Sequence, residues 1–478
     1  MTRERLTFGS GVHRPVFSAR AITTAEPLAD QPQPVTISRL DTWDWGWGGL
    51  LIFTVLLFFR PQDQIPGLAN SHASDIAALL GLSAMFANNL KRGRPLTQVT
   101  PELVGLFAFG LVIILTIPTS IWPTGAFSVF QGLYLPIALI YLLMVNTLIT
   151  PKRLDRIVWI IVVAFGCLAA RVLVDYFVRG IGSGEGRAQA PFGGFFQNPN
   201  DLALNLVVFL PFVFMYIKRP GPATKRLLCV GIAFMMLAVL VLTRSRGGTL
   251  GFVAMLATFL IVARVLTPTM IIAGMLSGIF ILPALPDSFW ARMASITDAK
   301  KDDSGSREER RLLLIQGWEV FAERPLTGVG AGQFKTYWRP GLARKWHETH
   351  NMLLQVASET GVFGLIAFSF LIWKGFSAAF WTRKHLGWIH RRRRKRKAHI
   401  EPEDGLDPDE RQWLHAHATT MVASMMGWFV CAMFASVALN WTFYYVLALS
   451  ACARDVVRAR AWSYAKAKAL AVREASAA

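Results

Sequence analysis

The chain has 478 residues, of which 53% are hydrophobic and only 17% are charged, and its formal net charge is +20. This apolar content exceeds that of ordinary soluble domains and indicates a protein that lies in a bilayer. The positive charge does not indicate a nucleic acid partner, because the Lys and Arg residues form short blocks between apolar runs, which is the positive-inside pattern of membrane proteins.

The chain begins with a polar segment and continues with repeated apolar runs. Residues 1–44 have no apolar core long enough for a cleavable signal, so we expect them to form a polar cytoplasmic tail. Later runs approach or reach the roughly 17–25 residues that span a bilayer as a helix. The pattern predicts an all-α integral membrane protein with about 12 transmembrane helices, over 45–60, 73–90, 102–122, 128–148, 154–178, 201–217, 226–243, 247–266, 267–285, 351–375, 415–437 and 438–455.

The basic blocks orient these helices, because Lys and Arg concentrate in cytoplasmic loops. With twelve spans, every basic block falls on one side of the membrane, and both termini join that side. Binding to anionic lipid headgroups and simple topology control both explain the cluster Arg391–Lys397. We therefore predict transmembrane helices 1–9 over 45–285, a large periplasmic loop over 286–350, helices 10–12 over 351–455 with a basic cytoplasmic loop at 376–414, and a cytoplasmic tail at 456–478.

The long loop 286–350, between the ninth and tenth spans, mixes acidic, basic and aromatic residues. A loop of this length in a compact protein is usually functional or disordered, and the mixed composition favours function. Residues Arg307–Phe321 have the apolar spacing of a helix, and glycines in the following segment Pro325–Gly332 allow tight turns.

Arginines stand at the outer boundary, where the positive-inside rule disfavours them. Arg244 and Arg246 lie in the short turn between the seventh and eighth spans, and Arg310 and Arg311 lie early in the long loop, after Arg307. A guanidinium presents a planar fork of donors that matches phosphate oxygens, so these residues could hold a lipid diphosphate. Side chains that reach for lipid headgroups are the simpler alternative for any one of them.

His350 stands where the long loop re-enters the membrane, in the pattern His350-Asn351, nine residues, Gly361, two residues, Gly364. A neutral imidazole accepts a proton near neutral pH and could activate a hydroxyl. A histidine that only satisfies a helix end is the structural alternative. His347 has the spacing of a second metal ligand, but no third ligand is evident nearby. The four cysteines fall inside apolar runs, which favours buried thiols.

Polar residues also occur at the fifth and sixth spans. Arg171 and Asp175 are four residues apart on one helical face, so they can pair within the membrane, either for helix packing or to line a donor cavity. Asn198 and Asn200 surround Pro199 and are turn or cap residues that could also contact a substrate.

These motifs resemble the bacterial O-antigen ligase and polymerase superfamily of membrane glycosyltransferases. The pattern from His350 to Gly364 is the most specific element, and three weaker ones follow the family's order: Phe196–Asn200, Ser245–Gly247 and Pro325–Gly330. The resemblance covers about residues 100 to 450. It implies a GT-C-like fold in which His350 is the catalytic histidine, while Arg246 and Arg310 bind the diphosphate. Leu314 stands where many members have Trp, so Arg311 is the alternative to Arg310.

The resemblance implies a metal-independent inverting glycosyltransferase without a cofactor, in the bacterial inner membrane with a periplasmic active site. Its donor would be a glycan on undecaprenyl diphosphate, and its acceptor a hydroxyl of lipid A-core or another glycan. Asn351, Asn198, Asn200 and Arg171 are further candidates for substrate contacts, and membrane lipids are expected neighbours. A repeat-unit polysaccharide polymerase is the nearest alternative, a protein-glycosylating enzyme a related one, and a transporter or flippase a more distant one.

Overall fold

The computed structural model describes residues 44–65, 67–68, 71–180, 186–191, 196–264, 285–294, 306–337, 348–395 and 404–477, with the isolated positions 272, 279 and 283. Several sequence predictions concern other residues. Most of the N-terminal tail, His347 and nearly all of the predicted ninth span at 267–285 lie outside the described residues.

The described residues form helices and turns. Their order and bounds are α1 Trp45–Phe58, α2 Pro61–Gln64, α3 Ala73–Lys91, α4 Pro101–Thr116, α5 Pro123–Thr147, α6 Pro151–Phe177, α7 Pro199–Lys218, α8 Ala223–Leu242, α9 Arg246–Ala263, α10 Asp287–Ala294, α11 Ser306–Glu323, α12 Met352–Lys395, α13 Pro408–Ala432 and α14 Trp441–Ala477. No strand occurs in these residues, so the predicted all-α class is confirmed.

Apolar helices dominate the described residues. Six of them are long and apolar enough to cross a membrane, and two shorter apolar helices, α1 and α4, accompany them. A helix overlaps each of the eleven predicted spans other than 267–285, all of which lie largely within the described residues. The long spanning helices are α5, α6, α7, α8, α9 and the part of α12 up to Gly387. The number of twelve spans stays a prediction.

Capping residues followed by proline set the start of several helices. The side chains of Thr100, Thr150 and Asn198 accept backbone N–H bonds from the first turns of α4, α6 and α7. In each case proline follows the cap, which fits because a first-turn N–H has no partner within the helix and proline lacks one. Asn198 therefore has the predicted capping role.

Buried ion pairs hold the helices together at the end of the bundle where α1, α4 and α6 begin. Glu102 of α4 and Arg454 of α14 are both buried, with Nη2 to Oε2 at 2.9 Å. Other pairs at this end are Asp44 with Arg153, Asp155 with Arg219 and Asp404 with Arg411. We call this the ion-pair end and the other one the loop end.

The prediction that all four cysteines are buried is confirmed for three of them. Cys229, Cys431 and Cys452 are buried, whereas Cys167 is exposed on α6. The prediction is wrong for Cys167 because its side chain lies on the outer surface of the bundle, where an apolar run also faces outward. All four are free thiols.

Candidate functional site

The His350-Asn351 pair starts α12 at the loop end of the bundle. His350 is half-buried and has φ of +49°, a left-handed conformation that few non-glycine residues adopt. Its backbone N–H donates to Ser436 Oγ at 3.0 Å. Asn351 Oδ1 accepts from Leu354 N at 3.0 Å and so caps α12, while Asn351 Nδ2 donates to the Met433 carbonyl at 3.2 Å. These bonds fix the backbone that carries the imidazole.

The glycine-rich loop after α11 is bonded to a break in α12. Gly361 has φ of +69°, and a Cβ there would lie 2.3 Å from the carbonyl carbon of Leu326. Only glycine fits this close approach. Three backbone bonds of 2.7–2.9 Å join the two segments: Val329 to Ser358, Gly330 to Glu359 and Val362 to Pro325. The spacing between His350 and Gly361 therefore sets where the outer loop rests on α12.

The turn between α8 and α9 carries Arg244 and Arg246, both half-buried. Arg244 has φ of +47°, and its Nη2 donates to Tyr176 at 3.4 Å. Ser245 caps α9, whose first residue is Arg246, by accepting the Gly248 N–H at 3.1 Å. The turn thus presents two guanidinium side chains at the start of an apolar helix, where the positive end of the helix dipole also favours anions.

A buried arginine holds this turn in place. Arg187 donates to the Thr243 carbonyl and to Asn200 Oδ1, each at 2.8 Å, and Ser245 Oγ donates to the same Asn200 oxygen at 2.9 Å. Asn200 therefore links α7 to the arginine turn. Arg187 could not be identified from the sequence, because its partners are 13 and 56 residues away and no motif contains it.

The segment 433–440 between α13 and α14, here called the connecting segment, joins the arginine turn to His350. A Cβ on Gly247 would lie 3.0 Å from Cβ of Phe434, so the start of α9 packs closely against it. Met433 and Ser436 then bind Asn351 and His350. One short segment therefore contacts both the predicted cationic turn and the backbone of the predicted base.

The start of α7 makes a second link between these two regions. Asp201, next to Asn200, lies close enough to Glu348 for an electrostatic interaction. Glu348 precedes His350 by two residues. Sequence reasoning missed Asp201, although its place in the first turn after Asn198-Pro199 could have indicated it.

Arg310 and Arg311 lie on α11, which packs against α12. A Cβ on Gly317 would lie 2.7 Å from the Leu354 side chain, which shows how closely the two helices approach. Arg310 is half-buried, whereas Arg311 is exposed and lies 3.6 Å from Glu308. The position corresponding to the missing tryptophan, Leu314, is exposed.

Arg171 forms the predicted pair with Asp175, with Nε to Oδ2 at 2.8 Å. Arg179 adds a second bond to the same carboxylate at 3.0 Å. Asp175 is fully buried, so two cations compensate its charge. The predicted pair is therefore present at the loop-end part of α6, and a contact of Arg171 with a substrate stays a prediction.

A cavity of about 380 Å³ opens beside the His350 segment. Thr349 and Ser436, the residues next to and bonded to His350, form part of its wall. Glu348 and Lys335 face it, and the surrounding protein raises the pKa of the Glu348 carboxyl by desolvation, against the lowering effect of Lys335. Glu359, also in the wall, accepts the Gly332 N–H at 2.8 Å.

Metal ligands do not cluster in the described part of the chain. No group of three His, Cys, Asp or Glu residues is placed there to hold an ion. The polar groups near His350 are hydrogen-bonding and ionisable side chains, which suit the handling of hydroxyls, protons and anions.

Residues 231–369 match the family model described as O-antigen ligase. The matched region contains the arginine turn, α11, the glycine-rich loop and His350. It confirms the predicted resemblance to the O-antigen ligase and polymerase superfamily. No curated protein matches the chain significantly.

Proposed function

We propose that this chain, a multi-pass membrane protein with an O-antigen ligase domain, is a metal-independent inverting glycosyltransferase of the ligase type. It would move a glycan from undecaprenyl diphosphate to an acceptor hydroxyl of lipid A-core or a similar glycan. The observation that carries this proposal is the connecting segment, which packs against the arginine turn at Phe434 and binds His350 through Ser436.

The proposed transfer is a single displacement. The His350 imidazole takes the proton of the acceptor hydroxyl, and the acceptor oxygen forms a bond to the anomeric carbon. The bond from that carbon to the diphosphate oxygen breaks, and its electron pair leaves with the diphosphate. A positioned general base typically accelerates such a step about 10²–10⁴-fold.

Arginines would stabilise the departing diphosphate. Arg246 and Arg244 stand at the start of α9, and half-buried Arg310 suits the role better than exposed Arg311. Fixed cations near the growing charge act without a divalent ion, since they are already in place when the bond breaks. The transition state gains more from them than the ground state does, because the charge on the bridging oxygen increases.

The asparagines and Arg171 would act indirectly. Asn198 and Asn351 cap helices, and Asn200 bonds Arg187 and Ser245, so these side chains hold the backbone around the site. Arg171 is paired with Asp175. We assign them positioning roles within the proposed enzyme.

The enzyme would lie in the bacterial inner membrane with the loop end in the periplasm. Both termini and the basic stretch after α12 would then be cytoplasmic, as the charge pattern predicts. The loop end would meet the lipid-linked donor after its glycan has reached the periplasmic face.

The proposal is tested in a bacterial strain that lacks its own ligase. His350→Asn removes the base, and asparagine tolerates the positive φ of this position. His72→Asn is the matched control, since His72 also has positive φ and is exposed. We expect glycan on lipid A with the wild type and the control, and a loss of about 10²-fold or more with His350→Asn at equal membrane levels.

The products distinguish the alternatives. A ladder of lengthening lipid-linked glycans would identify a polymerase, which uses the same donor. Normal transfer by a folded His350→Asn protein would contradict the assigned base. Absence of any new glycosidic bond with the wild type would contradict the enzyme class.

A further inference from the structure

The cavity beside His350 is built from elements other than those that hold the arginine turn. Its walls come from the end of α1, the middle of α5, the loop at 332–335, the start of α12 and the end of the connecting segment. The arginine turn instead contacts α6, α7 and the segment at 186–191. The cavity therefore adjoins the His350 segment through Thr349 and Ser436, and it is built from elements other than those around the arginine turn.

The connecting segment and the first residue of α14 contact both the arginine turn and the cavity, one after the other along the chain. Phe434 packs against the start of α9, Ser436 bonds His350, and Leu439 to Trp441 line the cavity. Residues 434–441 therefore contact the arginine turn, the His350 backbone and the cavity in that order along the chain. An in-line displacement needs the nucleophile and the leaving group on opposite sides of the reacting carbon, and an acceptor in the cavity with a diphosphate at the arginine turn would meet this need.

The cavity lining suits a carbohydrate. Carboxylates accept hydrogen bonds from hydroxyls, amides both accept and donate them, and half-buried Trp441 offers apolar surface for the face of a sugar ring. Among the described residues the Glu348 carboxylate makes no hydrogen bond, although it faces the cavity. The volume of about 380 Å³ falls in the range of small-molecule sites, roughly 300–1,000 Å³.

We propose that this cavity binds the terminal sugar of the glycan acceptor and presents its hydroxyl to His350. The proposal rests on the proposed function and adds the place of the second substrate. The donor diphosphate occupies the other side of His350, at the arginine turn. The charged groups that face the cavity, Arg60, Lys335, Glu348 and Glu359, then select a polar acceptor and orient it.

Filling the cavity tests this assignment. Leu133 lines it from α5, is 46% exposed and makes no polar contact there, so Leu133→Trp narrows the space without removing a hydrogen bond. Leu135 is two residues away on the same helix, is 38% exposed and lies outside the lining. Leu135→Trp is therefore the matched control, and thermal unfolding of both variants checks the fold.

Binding and kinetics are measured on the full-length protein in detergent. The probes are deacylated core oligosaccharide, a lipid-free repeat-unit oligosaccharide and undecaprenyl diphosphate. We expect at least one oligosaccharide to bind the wild type, and Leu133→Trp to weaken that binding and raise the acceptor KM about tenfold or more. Undecaprenyl diphosphate binding and the donor KM should stay unchanged, and Leu135→Trp should match the wild type.

Three results would overturn the assignment. In the first, Leu133→Trp and Leu135→Trp bind the oligosaccharide equally well. In the second, Leu133→Trp weakens only the binding of undecaprenyl diphosphate. In the third, the wild type binds no oligosaccharide. Failure of the proposed function is a different result, since the wild type would then form no glycosidic bond even while it binds an oligosaccharide in a Leu133-dependent manner.

Discussion

Glu348 lies two residues before the candidate base His350, and the fold changes the pKa of the Glu348 carboxyl. Desolvation raises its pKa above the ordinary value, and Lys335 opposes this shift. The folded protein therefore holds the Glu348 proton to higher pH than the unfolded chain does. Between the two pKa values the native state binds more protons, so the stability of the protein falls as pH rises through this interval.

Glu348→Gln removes this pH dependence. Below the ordinary glutamate pKa of about 4.3 both proteins are neutral at this position and should unfold at similar temperatures. Above it the wild type must ionise a carboxyl that is partly desolvated although its residue is exposed, so the variant should become slightly more stable relative to the wild type until the raised pKa is passed. Thermal unfolding between pH 4 and pH 8 measures the difference, with Glu319→Gln on α11 as the control. A difference that does not grow with pH would contradict this reasoning.

The candidate functional residues could be predicted from the sequence only where they belong to a recognisable motif. His350, Arg244 and Arg246 stand out by their residue type and by their position at the outer boundary. Arg187 and Glu359 do not, because their roles depend on partners that the fold brings together. Arg187 acts through Asn200, and Glu359 through Gly332.

At the scale of elements, the contact between the glycine-rich loop and α12 determines how the outer loop covers the site. Gly361 breaks the helix, and Gly328, with φ of +63°, approaches the Glu359 backbone from the loop side. Neither glycine leaves room for a Cβ. The two sequence motifs are thus the two halves of one interface.

Gly361→Ala should break this interface. Gly361 has φ of +69° and ψ of −167°, a conformation essentially restricted to glycine that costs about 1–3 kcal/mol for alanine, and the 2.3 Å approach to Leu326 adds a collision. We expect a lower unfolding temperature and reduced transfer. Gly231→Ala on α8 is the control, because nothing lies within 4 Å of its Cβ, and it should be neutral or slightly stabilising. Equal stability of the two variants would contradict the role of Gly361.

Hydropathy predicted most helices because long apolar runs have few other solutions in a bilayer. Their ends are harder to predict. The helix α12 continues through Lys395 and α14 through Ala477, where charged residues replace apolar ones. The π-helical turn Phe130–Tyr134 within α5 also has no hydropathy signal, since it changes hydrogen bonding and not composition.

At the scale of the whole molecule, the two ends of the bundle differ in how their charged side chains are arranged. The ion-pair end neutralises its buried charges in pairs, such as Glu102 with Arg454. The loop end also contains a buried pair of this kind, Asp175 with its arginines, but in addition it holds arginines at the start of α9 and carboxylates around the cavity. We interpret the first as structural and the second as functional.

Arg454→Met tests the structural end. It would leave Glu102 buried without its cation, which typically costs about 3–5 kcal/mol. Arg460→Met on the same helix removes a longer contact of 3.6 Å to Glu410 and should cost less than about 1 kcal/mol. Thermal unfolding in detergent compares the two, and an effect of similar size would contradict the importance of the buried pair.

The most direct test of the account is glycosidic bond formation by the purified protein. Wild type, His350→Asn and Arg246→Met are incubated with an undecaprenyl-diphosphate glycan and an acceptor, with a chelator present and no membrane gradient. The account predicts a new glycosidic bond with the wild type and a loss of at least about 10²-fold in both variants. Unimpaired transfer by the folded variants would contradict it, and so would a wild type that transfers nothing.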